Sequence, residues 1–282
     1  MVLVMDHQDG KQYDHVTSTL IFSSDSKHFA YVAALNNRWF VVVDGKESEK
    51  YDGILQGTPI YSPDGKRITF GAALGNKQFV VVDGEHEKQY ENIGTTFVFS
   101  LDGKRLAYVA REDDKWFVVI DREQEEKYDF IGKNGIIFSS DGTQLAYVAE
   151  EDNRQVVVMD RKRGKPYDSI LDGSLCFSPD GKRVAYAARV SNKQFVVVDG
   201  KEGKKYAHIR SNPLFSPDSK HLAYVAQESD SWFVVIDGEE GKYYDHVLGE
   251  MKIVFDSLNN LHYLALNDNG IYLVSEQITL KD

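Results

Sequence analysis

The sequence predicts an all-β fold, a seven-bladed β-propeller of four-stranded blades, on three observations. A segment of about 39 residues recurs along the 282-residue chain, and a period of that length marks a repeat architecture. Its apolar runs, such as Phe40-Val41-Val42-Val43, are short, β-branched and bounded by Gly and Asp. They are too short for buried helices and suit strands covered on both faces. Between those breaks no helical stripe of apolar residues persists over ten positions, which removes the helical repeat architectures of similar period.

The register of the repeat is fixed twice. A leading aromatic falls at Phe22, Tyr61, Phe99, Phe138, Phe177, Phe215 and Phe255, in steps of 39, 38, 39, 39, 38 and 40. Aspartates that end an apolar strand fall at Asp6, Asp44, Asp83, Asp121, Asp160, Asp199 and Asp237. Each precedes a tyrosine by seven residues: Tyr13, Tyr51, Tyr90, Tyr128, Tyr167, Tyr206 and Tyr244. A column present in every repeat is explained by the repeat, so the tyrosines are expected to be structural.

Each repeat reads as four strands, near residues 59–61, 67–72, 78–82 and 89–93 in the second copy. The first two are joined by Ser-Pro-Asp-Gly at 62–65 and 178–181, and by Ser216-Pro217-Asp218 with Ser219 in the glycine place. Ser, Pro and Gly at those positions suit a type I turn. The third and fourth are joined by a turn that opens with Asp-Gly, as in Asp44-Gly45 and Asp199-Gly200, a strong hairpin signal. The fourth strand is polar, as an outer edge guarded by charge should be.

The chain begins in mid-repeat. Residues 2–6 and 12–16 match third and fourth strands, and residues 252–255, 261–266 and 270–275 supply a first, a second and a candidate third. Val2–Met5 and residues 271–274 therefore compete for one place, and the seven-residue spacing favours the N-terminal hairpin. Either way the terminal strands share one blade and close the ring. Residues 1–282 are expected to form a single propeller domain, with a hairpin at 1–17 and blades starting near 20, 59, 97, 136, 175, 213 and 252. A fragment of a longer protein is the other explanation for the irregular last repeat.

Phe177-Ser178-Pro179-Asp180-Gly181-Lys182-Arg183-Val184-Ala185-Tyr186 resembles the repeat of TolB-type propellers, a WD-repeat-like family whose repeat also occurs in the propeller domain of prolyl oligopeptidase-like enzymes. The resemblance implies a propeller across nearly all of the chain, and a place in bacterial envelope assembly. No Trp-Asp ends the third strand and no Gly-His opens a repeat, so the hydrogen-bond tetrad of WD repeats does not carry over. One fold hosts many functions.

Acids outnumber bases 44 to 33, a formal charge of -11, which argues against nucleic acid as a partner. No apolar run nears the roughly 18 residues of a membrane span. The opening Met1-Val-Leu-Val-Met5-Asp6 lacks a signal-peptide pattern, so the protein is expected to be cytoplasmic, or exported with its signal removed. Cys176 is the lone cysteine and is expected to be a small buried hydrophobe. His28 and His221 fill a column held elsewhere by Arg67, Arg105 and Arg183, and are expected at the surface. His15, His208 and His246 share another column that is too spread out for a zinc site. No Gly-x-Ser-x-Gly elbow, phosphate loop or His-Glu-x-x-His occurs. No cofactor and no metal is expected.

Function is sought where the repeats differ. The loops from each fourth strand to the next first strand contribute Gln56, Thr95, Lys133, Asp172, Arg210 and Glu250, and the second-to-third-strand loops contribute Asp113 and Glu151. Trp39, Trp116 and Trp232 alternate with Gln78, Gln155 and Gln194 at the start of third strands. Packing between blades is the commoner fate of such tryptophans, and a binding hot spot the other. These residues are expected to form a loop face around a central channel. A monomeric, non-catalytic interaction scaffold would grip a protein or peptide there. The alternatives are a metal-dependent hydrolase or lyase with its site at the channel mouth, and a sensor domain of a larger protein.

Overall fold

A computed structural model describes residues 2–5, 8–132, 135–248, 252–268 and 270–278. All regular structure among them is β-strand. No helix is long and apolar enough to cross a membrane. The backbone forms two compact units, residues 1–130 and 131–282. The first holds a hairpin, Val2–Met5 with Gln8–Gln12, and three antiparallel sheets; the second holds four more sheets.

The second repeat shows the plan. Ile68–Leu74 pairs along its whole length with Lys77–Val82. Asp83 and Gly84, both at positive φ (53° and 88°), form the two-residue turn that matches strand twist. The chain therefore turns back at once, and the fourth strand is only Glu85–His86. This corrects the expectation of a fourth strand at 89–93. Tyr90 instead exchanges backbone hydrogen bonds with Gln78, at 3.0 and 2.8 Å. The chain then crosses to the next sheet, where Asn92 pairs with Arg111 and Ile93 with Ala110. The Gln78 side chain latches this crossing, its Oε1 accepting the Ile93 N–H at 2.8 Å.

The first strand of a sheet is consequently built from two pieces. In the second repeat these are Gly53–Ile54 and Ile60–Tyr61, which share the partner Ile68–Leu74. Residues expected to connect blades are an interruption within this strand. In the first and third repeats His15–Phe22 and Asn92–Phe99 run through the same place with a shift of register.

The repeated columns now have physical roles. Tyr51, Tyr90, Tyr128, Tyr167 and Tyr206 are all at most 1% exposed. Each of Tyr51, Tyr90, Tyr167 and Tyr206 meets the third-strand phenylalanine of the following repeat edge-to-face, for example Phe117 at 5.4 Å from Tyr90 and Phe195 at 5.6 Å from Tyr167. That geometry suits the aromatic quadrupole. Core clusters accordingly join neighbouring sheets: Val80 and Val82 pack with Leu106, Tyr108 and Phe117. A repeat that buries its face only on its neighbour gains stability from the array.

The strand-ending aspartates staple two strands. Asp83 Oδ1 accepts the Ile68 N–H at 2.9 Å and Oδ2 accepts Arg67 Nε at 3.1 Å. The Ser-x-Asp turns form a third column. In six of them the serine hydroxyl donates to the aspartate at 2.6 Å. Successive turns touch: a Cβ on Gly103 (φ +72°) would lie 2.5 Å from Asp64 Oδ1. The serine hydroxyl and the backbone N–H two residues on hold Asp25 and Asp102 down to about 2, from 3.8, and the same bonds lower Asp64, Asp141 and Asp180. A carboxylate whose folded value lies below its unfolded value stabilises the fold above the unfolded value, and that support is lost as pH falls through the folded one. The urea midpoint should therefore hold from pH 7 to 5 and fall between about pH 4 and 2. Asp102→Asn should start lower at pH 7 and lose less across that window.

The last sheet differs from expectation. Gly270–Gln277 pairs with Asn260–Asn267 from Asn267↔Gly270 to Asn260↔Gln277 and so fills the disputed third place. Val2–Met5 pairs with Gln8–Gln12 in a separate two-stranded sheet. A hairpin closed by a short turn forms between near neighbours in sequence at little loop-closure cost, which favours the C-terminal segment.

Candidate functional site

Interrupting a first strand removes a partner from the middle of the second strand, and a buried N–H without an acceptor is costly. Hydroxyls within the interruption restore the bond. Ser174 Oγ accepts the Ala187 N–H at 3.0 Å, and Ser211 Oγ accepts the Val225 N–H at 2.8 Å. Thr58 does the same for Gly71 at 3.3 Å. The backbone is tied down at the same places, through Leu171 N–H to Ala187 O and Arg210 N–H to Val225 O, both 2.8 Å. Side chains between these ties point away from the core without leaving the backbone loose.

In the C-terminal unit two such interruptions, with Lys252 and Ile253, wall a pocket of about 580 Å³. Leu171, Ile209, Pro213 and Ile253 give it apolar walls, and Asp172, Arg210, Ser211, Asn212 and Lys252 supply its polar groups. Asp172 sits in an exposed turn before Gly173 (φ 70°). Arg210 is held from behind: Nε and Nη2 donate to Gln227 Oε1 at 2.8 and 2.5 Å. Its guanidinium lies 5.1 Å from the Trp232 ring, and that ring stacks on His246 at 4.1 Å. Cation–π contact and the two hydrogen bonds fix the position of the charge. Lys252 is exposed. Two cations and one carboxylate make this pocket positive within a chain of formal charge -11.

The structure thus brings Asp172, Arg210 and Trp232 to one neighbourhood. Gln56 is exposed at the equivalent interruption in the N-terminal unit, and Thr95 is exposed within Asn92–Phe99, which runs through that place. Asp113 pairs with Lys127 at 2.8 Å, and Glu151 pairs with Arg163. Asp113 belongs to a second-to-third-strand turn and Glu151 ends the second strand before such a turn, so both lie at the end of the strands and not beside the mid-strand interruptions. The expected acidic rim is partly neutralised by such pairs. Trp39 stacks on His15 at 6.3 Å, and Trp116 lies 5.9 Å from the Arg111 guanidinium; both are half-buried. Lys133 and Glu250 lie outside the described residues. In the last loop, where Glu250 is the residue expected from the sequence, Lys252 is on the pocket wall. The signal was present: Lys252 stands three places before Phe255 as Asn212 stands three before Phe215.

Cys176 is half-buried. Burial pushes its thiol up to about 11, so it packs without acting as a nucleophile at neutral pH. His208 is exposed, and the His246 ring is taken up by Trp232. Among the described residues no three His, Cys, Asp or Glu side chains gather as a metal-ligand set. His221, expected at the surface, is 6% exposed. It shares a pocket wall with Ile236 and with the C-terminal strand end at Glu276 and Gln277, which are distant from it in sequence.

No protein-family model matches the chain, and no curated protein does. Among solved structures it is similar to TolB from Acinetobacter baumannii, at 15% identity and a TM-score of 0.35, over 80% of this chain and 64% of that one. The chain thus spans less than two thirds of that TolB. It is also similar to the β-propeller domain of the Trilobed protease from Pyrococcus furiosus, at 15% identity and a TM-score of 0.41, over 95% of this chain and 98% of that one. The dihydro-heme d1 dehydrogenase NirN is similar at 11% identity and a TM-score of 0.44, over 93% of this chain and 64% of that one. The neighbours include TolB and other β-propeller proteins, the class that the repeat resembles.

Proposed function

We propose that the chain is a seven-bladed β-propeller, one domain closed by its terminal strands, that works as a monomeric, non-catalytic module binding a protein or peptide. The repeat count and the shape of the last sheet support the ring. Gly270–Gln277 has one strand partner among the described residues, and it carries Ile271 and Leu273 at 68% and 70% exposure. Such an apolar edge calls for a covering strand.

The observation that carries the binding role is the pocket of Asp172, Arg210 and Lys252. Its charge suits an acidic peptide segment or a terminal carboxylate, with the guanidinium as a forked donor. The apolar walls suit the aliphatic part of a side chain beside that acid. Two of the polar groups around the pocket are hydrogen-bonded into the fold: Ser211 to Val225 and Arg210 to Gln227. A preset surface of this kind loses little ordering entropy on binding, which favours presentation over chemistry.

The test is fluorescence anisotropy with a panel of acidic, neutral and basic peptides. The wild type should prefer acidic peptides, and added salt should weaken the binding. The pair Arg210→Glu with Lys252→Glu should weaken it at least ten-fold with an unchanged melting temperature. Equal affinity for wild type and pair would overturn the proposal.

A further inference from the structure

We propose that the chain carries a second binding site, selective for a guanidinium group, in the seam beside His221, which stands in the column that Arg67, Arg105 and Arg183 occupy in three other repeats. Arg67, Arg105 and Arg183 occupy this column, and each Nε donates to the strand-ending aspartate of its own repeat, at 3.1, 2.8 and 3.0 Å. Arg67 and Arg183 also reach the following repeat: Arg67 Nη1 donates to Lys104 O at 2.7 Å, and Arg183 Nη1 to Lys220 O at 3.2 Å. A guanidinium thus fills the seam between consecutive sheets.

His221 makes only the first of these contacts, its Nδ1 lying 2.6 Å from Asp237 Oδ2. Counting from the second strands, the carbonyl matching that of Lys220 is Asn259 O. It accepts the Ile278 N–H at 2.7 Å instead. The shorter side chain leaves a pocket of about 520 Å³, walled by His221, Asp237, Glu239, Glu240, Glu276 and Ile278.

Two independent observations describe what this pocket accepts. The first is its charge. Four carboxylates line it, of which Glu240 is paired with Lys204 at 2.6 Å, against Lys220, which leans to Asp218 at 3.6 Å. The second is an unmet acceptor. The His221 side chain is 7% exposed, and its buried Nε2 has no hydrogen-bond partner. In the tautomer that donates Nδ1–H to Asp237, Nε2 carries a lone pair. A buried lone pair without a donor is costly, and a planar cation with forked N–H groups can satisfy it together with a carboxylate. Glu276 is held in place by the Tyr263 hydroxyl at 2.5 Å, which leaves its second oxygen for such a fork. The ligand supplies in trans the group that Arg67 and Arg183 supply in cis.

The probes are ethylguanidinium, ethylammonium and the neutral isostere ethylurea, titrated by heteronuclear NMR. Ethylguanidinium should saturate, with shifts centred on His221 and Glu276. Ethylurea and ethylammonium should bind at least ten-fold more weakly. His221→Arg should abolish binding, because the introduced side chain fills the seam as Arg67 and Arg183 do. Glu276→Gln, whose amide still accepts the Tyr263 hydroxyl, should weaken it at least five-fold, and it carries the test should His221→Arg misfold. A short arginine peptide separates the sources: tighter binding than ethylguanidinium assigns the site to an arginine side chain of a partner, equal binding to a free guanidinium compound. Absence of saturable binding to ethylguanidinium, equal binding of ethylammonium, or undiminished binding in both variants would overturn the proposal.

Discussion

Replacing Tyr167 by alanine should destabilise the protein by about 3–5 kcal/mol, the range for deleting a large aromatic side chain from a packed core. The residue is 0% exposed. Its ring sits among those of Tyr186, at 6.1 Å, and Phe195, at 5.6 Å. Val157, Ile170 and Val184 belong to the same cluster. The backbone bonds that Tyr167 exchanges with Gln155 at 2.9 and 2.8 Å survive the substitution, so the loss is one of side-chain packing between two sheets. Neither sheet can close the gap alone, because each is anchored by its own ladder. Tyr167→Phe keeps the ring and removes a buried hydroxyl that has no hydrogen-bond partner, so it should change stability by about 1 kcal/mol or less. Urea unfolding followed by tryptophan fluorescence separates the two variants. A loss under about 1 kcal/mol for the alanine variant would mean that the tyrosine column does not join the sheets.

Asp199→Ala should cost about 2–4 kcal/mol, because one side chain performs three tasks whose individual values are about 1–3 kcal/mol. Its Oδ1 accepts the Val184 N–H at 2.9 Å, and Val184 is buried. Its Oδ2 holds Arg183 Nε at 3.0 Å. Its backbone is left-handed, φ 50°, a region in which aspartate is tolerated and alanine is strained. Removing the carboxylate orphans a buried donor, frees the arginine and leaves a residue that resists the turn. Asp199→Asn keeps the acceptor and the turn preference, and should recover more than half of the loss in the same urea titration. Equal effects of the two substitutions would show that the carboxylate charge, and not the staple, is what matters.

The second and third strands could be read from the sequence because burial on both faces forces an unbroken apolar run, as in Phe195-Val196-Val197-Val198. The Asp-Gly hairpins could be read because few residues take positive φ at two successive positions. What escaped was the partner of each polar segment. Glu49 and Lys50 precede Tyr51, which bonds backward to Trp39, while Gly53 and Ile54 bond forward to Ala73 and Ala72. Nothing in the residues themselves records that switch, and periodicity alone placed a whole strand there. The candidate pocket was legible in half: Asp172 and Arg210 stood out because they differ from their column, whereas Lys252 hid in an irregular repeat. The burial of His221 was illegible, since a wall of its pocket comes from a C-terminal strand whose place the sequence left open between two contenders.

The crossing at each tyrosine has an effect on how such a chain can be cut or copied. Backbone ties run from Tyr90 to the sheet behind it and from Asn92 to the sheet ahead. A gene segment cut just after the tyrosine, such as 52–90, therefore encodes one whole sheet, whereas a cut at the Asp-Gly turn divides two. Duplication in the first frame adds a finished sheet, and the added tyrosine ring still needs a sheet ahead of it, as Tyr90 needs Phe117. The piece that can be copied whole is thus complete in its backbone and unfinished in its packing.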